Sequence, residues 1–70
     1  MRRALKLEWV EDTLRQPELK RVDERDATLN LAFRQIHDAG GRWLRVVYRR
    51  DGHTNVVVTA FFDRNQEKRK

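Results

Sequence analysis

Apolar residues in the first segment recur at helical spacing. Leu7, Val10 and Leu14, with Trp9 alongside, form a stripe within "LKLEWVEDTLR", residues 5–15, and predict a helix there. Glu8, Glu11 and Asp12 lie in its first turns, where the helix dipole favours acids. Pro17 ends it by forcing Gln16 away from helical angles. Residues 16–27, "QPELKRVDERDA", are polar and read as a loop, with a short helical turn as the alternative. In residues 28–36, "TLNLAFRQI", two periods compete: Leu29, Phe33 and Ile36 with Ala32 fit a helix, whereas Leu29, Leu31 and Phe33 fit strand alternation. The strand reading is preferred because strands follow and a third strand makes a hairpin more stable.

"HDAGG" then supplies a turn, with Gly40 and Gly41 free to take positive φ. "RWLRVVYRR", residues 42–50, is rich in β-branched and aromatic residues and predicts a strand. Asp51-Gly52 marks a tight turn before the last strand, "NVVVTAFF", residues 55–62. The expected fold is α+β, with one N-terminal helix packed on a three-stranded antiparallel β-meander. Residues 1–64 are expected to form a single domain and residues 65–70 a basic, disordered tail.

Strand alternation sorts the side chains. The expected inner set is Leu29, Leu31 and Phe33, then Leu44, Val46 and Tyr48, then Val56, Val58, Ala60 and Phe62. The expected outer set includes Arg34, Trp43, Arg45, Arg49 and Phe61, with Val47 and Val57 between them. A wet face would not carry these aromatics and valines, and a sealed one would not carry three arginines. The outer face is therefore expected to be covered by nucleic acid, by a protein partner, or by the chain's own ends.

Length and charge limit the possibilities. Seventy residues make one small domain without a deep pocket. No cysteine is present, which excludes disulfides and thiolate metal sites and fits a cytoplasmic location. No apolar run reaches a membrane-spanning length, so no membrane partner is expected. The net charge is +5. Residues 34–50 hold five arginines and one acid, and residues 64–70 hold four bases and one acid, whereas residues 8–26 hold seven acids and four bases. A basic sheet with a basic tail suits a polyanion such as RNA, although a short basic run also serves solubility.

Catalytic signals are sparse. There is no phosphate loop, metal-spaced histidine pair or nucleophile elbow, and neither a cofactor nor a metal site is expected. His37 and His53 both fall in predicted turns. Metal-independent RNA cleavage needs an activated 2′-hydroxyl, neutralised phosphate charge and a protonated leaving oxygen. Arg45, Arg49, Arg50, Tyr48 and Arg64 are candidates for it. The competing readings are a core tyrosine for Tyr48 and a local ion pair between Asp63 and Arg64.

"GGRWLRVVYRRDG" followed by "VVVTAFFDR" resembles a family of small bacterial proteins classed as a domain of unknown function, and "RALKLEWVEDTLRQP" matches that family's N-terminal register. The family in turn resembles compact toxin nucleases of the RelE and BrnT kind. The resemblance implies helical material on an antiparallel sheet, with RNA cleavage or pairing with an antitoxin-like protein. Related sequences carry a His-Ala element ahead of the arginine corresponding to Arg3. That element is absent from these 70 residues, so it is either missing or upstream. The working expectation is an RNA-binding or RNA-cleaving toxin-like domain using Arg34, Trp43, Arg45, Arg49, Phe61 and Arg64. The alternative is a non-enzymatic interaction module or homodimer using the outer sheet face.

Overall fold

A computed structural model describes residues 5–64; the expected tail, residues 65–70, lies outside them. The elements are α1 (Leu7–Arg15), β1 (Leu19–Val22), β2 (Asn30–Ile36), a 3₁₀ turn (His37–Ala39), β3 (Arg42–Asp51) and β4 (Thr54–Phe62). The strands form one antiparallel sheet in the order β1-β2-β3-β4, with α1 against β2 and β3. The class is α+β as expected, but the sheet has four strands rather than three.

The extra strand lies in the segment read as a loop. Leu19 and Val22 are three residues apart, so they give no two-residue alternation. The strand is specified by its neighbour: β1 satisfies the free backbone edge of β2, pairing Leu19 with Phe33 and Val22 with Asn30. Glu18 continues the contact. Its N–H donates to the Phe33 carbonyl at 2.8 Å, and its carboxylate accepts the Gln35 N–H at 3.0 Å. The following loop is held by two aspartates. Asp23 accepts the N–H groups of Arg25 and Asp26, and Asp26 accepts the N–H and hydroxyl of Thr28.

The strand reading of residues 28–36 holds, because β2 pairs with β3 from Asn30↔Tyr48 to Ile36↔Arg42. Between them, Gly40 and Gly41 take φ of 75° and 78°, in the left-handed region that a side chain would disfavour.

The faces of β2 are the reverse of the expected assignment. Leu31 and Phe33 sit opposite Val47 and Arg45, on the face away from the helix. Ile36 joins Leu44 and Val46 in the cluster under Leu5, Trp9, Val10 and Leu14. Both alternating sets of β2 are apolar enough to be buried, so periodicity alone could not choose between them. Size is the physical difference. Ala32 is fully buried, and its small side chain fits beneath a close helix.

Arg34 therefore leaves the outer face. Its guanidinium donates to the Gln16 carbonyl at 2.7 Å, satisfying an orphan acceptor at the negative end of α1. The helix stripe also shifts. Trp9, Val10 and Leu14 pack inward and Thr13 is buried, its hydroxyl bonding to the Trp9 carbonyl at 2.8 Å, whereas Leu7 is 71% exposed.

A second hydrophobic cluster fills the other face: Leu31, Phe33 and Val47, with Leu19, Leu29 and Trp43 packed around them. The assignment of β4 also changes, in its first half. A register shift opposite Val47 and Tyr48 pairs Tyr48 with Val57 and Arg49 with Val56, so strict alternation fails across this bulge. Val56 and Val58, expected inside, are exposed, whereas Ala60 and Phe62 do pack into the helix-side core. Tyr48 is buried, consistent with its core reading.

Candidate nucleic-acid interface

Arg45 occupies the centre of the outer face. It pairs with Phe33 on one side and Phe61 on the other. Its guanidinium carbon lies 5.6 Å from the Phe33 ring centre and 5.5 Å from that of Phe61, within cation–π range of both. One terminal nitrogen donates to the Asp63 carboxylate at 3.1 Å. Asp63 is buried, and its N–H donates to the Trp43 carbonyl at 2.9 Å. The expected Asp63–Arg64 ion pair is thus replaced by Asp63–Arg45, 18 residues apart. Arg45 Nε is buried without a hydrogen-bond partner among the described residues. A second cation, Arg21, lies 6.0 Å from the Phe33 ring. Phe33 is only 2% exposed, whereas Phe61 remains 43% exposed. The middle of this face is thus packed with its own side chains, and Arg45 has a neutralising partner.

An open cleft lies where β4 ends beside the start of α1. Its volume is about 390 Å³, and Leu5, Arg42, Ala60, Phe61, Phe62 and Arg64 line it. The fold assembles it from three places. The glycine turn delivers Arg42 at the first position of β3. β4 brings Phe61 and Phe62, whose side chains alternate. The chain entering α1 contributes Leu5.

Arg42 lies over the Phe62 ring, 4.5 Å from its centre, and its Nε reaches the Ala39 carbonyl at 3.4 Å. Phe62 is braced from behind by Trp9, edge-on, with ring centres 6.1 Å apart. Among the described residues, neither Arg42 nor Arg64 has a carboxylate at ion-pair distance, and no acid lines the cleft. Lys6, at the N-terminal end of α1, makes no side-chain cap, so the positive end of the helix dipole lies next to Leu5.

The structure separates the expected site residues. Phe61 and Arg64 share the cleft, while Trp43 and Arg45 lie beside them on the outer face. Arg34 is on the opposite face at the helix C-terminus. Arg49 is exposed near the far end of β3, opposite Val56. Arg42, Phe62 and Leu5 are additions. Arg42 stands two residues before Leu44, in line with the inner set, where an arginine would not be sought. Its position directly after the glycine pair, at a strand end, was the available signal.

The arrangement offers positive charge and aromatic surface. No general base lines it among the described residues. His37 and His53 are exposed in turns, and among the described residues no three histidines or carboxylates converge as a metal ion would require. No helix among the described residues is long and apolar enough to cross a membrane.

No curated protein and no solved structure matches the chain. A family model does match, over residues 1–62: Domain of unknown function (DUF4258). Because the match spans the helix and all four strands, the chain belongs to the DUF4258 family.

Proposed function

We propose that this domain binds single-stranded RNA at the cleft bounded by Arg42, Phe61, Phe62 and Arg64. The observation carrying this reading is the pair of arginines that have no carboxylate partner among the described residues, beside an aromatic wall. Guanidinium groups suit phosphate oxygens, and an exposed aromatic ring such as Phe61 suits an unpaired base. The outer face beside the cleft offers Trp43. The net charge of +5 adds long-range attraction for a polyanion. Resemblance to RelE and BrnT toxins extends the proposal to RNA cleavage, with arginines stabilising phosphate charge.

The test is fluorescence anisotropy with a labelled single-stranded RNA at several salt concentrations. Each phosphate neutralised contributes about 0.7 to the salt slope. Arg42→Ala and Arg64→Ala should each weaken binding and flatten that slope, while Arg34→Ala should leave the slope unchanged. Residues 65–70 could bind any polyanion, so the same series is run on a chain ending at Arg64. Binding that disappears with those residues, and ignores Arg42→Ala and Arg64→Ala in the full chain, contradicts the proposal. Cleavage is scored separately. If no product forms at high protein concentration, the ribonuclease reading fails and binding stands on its own data.

A second reading is a protein-interaction module. It is favoured by the exposure of Val56, Val57, Val58 and Phe61 on one strand.

A further inference from the structure

The two edges of the sheet differ. The β1 edge is four residues long and carries Lys20 and Arg21, the charge that commonly protects an edge from adding another strand. β4, "TNVVVTAFF", is nine residues long and carries no charge, in a chain whose composition is 39% charged. Among the described residues its outer edge pairs with no other strand. Val56, Val57 and Val58 are 38%, 43% and 50% exposed. The bulge in β4 disrupts the ladder to β3 and adds twist, but it places no charge or proline on the free edge.

We infer that β4 pairs antiparallel with β4 of a second copy of this chain, extending the four-stranded sheet into an eight-stranded one. This inference rests on the edge and not on the RNA reading. A two-fold axis perpendicular to the sheet places each residue on the axis opposite itself, so any charge there would face its own copy. An uncharged strand is compatible with that symmetry. A basic partner segment or an acidic one would gain nothing from it by ion pairing. Centring the axis on Val57 sets Val57 opposite Val57 and Val56 opposite Val58, giving β-branched pairs of the kind that stabilise sheets. Pairing then runs from Thr54 to Ala60. Phe61 to Arg64 project beyond the paired segment, so the two clefts fall at opposite ends of the dimer, each bordering the interface at Ala60.

Sedimentation equilibrium on the purified full chain, over a range of concentrations, is the primary measurement. A reversible monomer–dimer equilibrium is expected. Val57→Lys places like charges opposite each other and should raise the dissociation constant about tenfold or more. Val57→Glu should do the same, and mixing the two variants should restore a dimer containing one of each. That recovery distinguishes a broken interface from a misfolded chain. The chain contains no cysteine, so Val57→Cys gives a single-site reporter. It should oxidise readily to a disulfide-linked dimer, whereas Leu7→Cys, on the helix, should not. A chain that stays monomeric up to about 1 mM, a range of weak affinity, overturns the inference and leaves the edge to a different protein. A dimer indifferent to both charged variants overturns it as well.

Discussion

The two faces of the sheet are built differently. Under the helix, Ile36, Leu44 and Val46 meet Trp9, Val10 and Leu14. That core is apolar and sealed by a whole secondary-structure element. On the other face, Leu31, Phe33 and Val47 are equally buried, but the residues around them include Arg21 and Arg45. There the aliphatic stems and flat guanidinium groups of arginines cover aromatic carbon, and Asp63 balances the more buried of the two charges. Among the described residues, one α-helix is available and it covers one face. The other face is packed with side chains that are apolar along their length and charged at the tip.

Four variants probe the contrast, beginning with the largest effect. Leu44→Ala should remove about 2–5 kcal/mol of stability, because Leu44 is fully buried and its loss leaves a cavity. Urea unfolding measures this, and the loss should be insensitive to salt. On the outer face, Asp63→Ala should cost about 3 kcal/mol by leaving Arg45 unpaired next to Phe33 and Phe61. Replacing both partners, with Arg45→Met and Asp63→Leu, should recover much of that loss. If the double variant is as unstable as Asp63→Ala, the account of charge balance fails. Phe61→Ala should cost about 1 kcal/mol or less, since the ring is nearly half exposed, while weakening the proposed RNA binding by a larger factor than its effect on stability.

The smallest effect concerns the loop beside this face. The hydroxyl and N–H of Thr28 hold the Asp26 carboxyl below the usual carboxylate range. A depressed carboxylate stabilises the fold above its unfolded-state pKa, and the contribution is lost as pH falls through the folded-state value. Asp26→Asn should therefore be slightly less stable than the parent at neutral pH. The two unfolding midpoints should converge in strong acid, below the ordinary carboxylate range. A gap that persists there would show that the loop depends on shape and not on charge.

The helix, the β2–β3 pairing and the β3–β4 hairpin were legible because each is specified locally: by the Trp9–Leu14 stripe and Pro17, by Gly40-Gly41, and by Asp51-Gly52. β1 was not, because Leu19 and Val22 lack strand alternation and the segment becomes a strand through the edge that β2 offers. The side taken by Phe33 was not legible either, since both alternating sets of β2 can be buried. That single reversal moved Arg34 from the expected site to the end of α1. The long-range Arg45–Asp63 pair needed the β3–β4 register to be known. Of the expected site, Phe61 and Arg64 were found in the cleft, and Arg42 was hidden by the rule that inner positions should be apolar.

The most direct measurement is residue-resolved amide chemical-shift mapping on the isotope-labelled full chain, titrated with a short single-stranded RNA. The account predicts saturable shifts at Leu5, Arg42 and Ala60 to Arg64, fading toward Arg49 and the β3–β4 turn, and lost in the Arg42→Ala, Arg64→Ala double variant. Shifts confined to residues 65–70, or centred on Arg49 and Arg50, would contradict binding at the cleft.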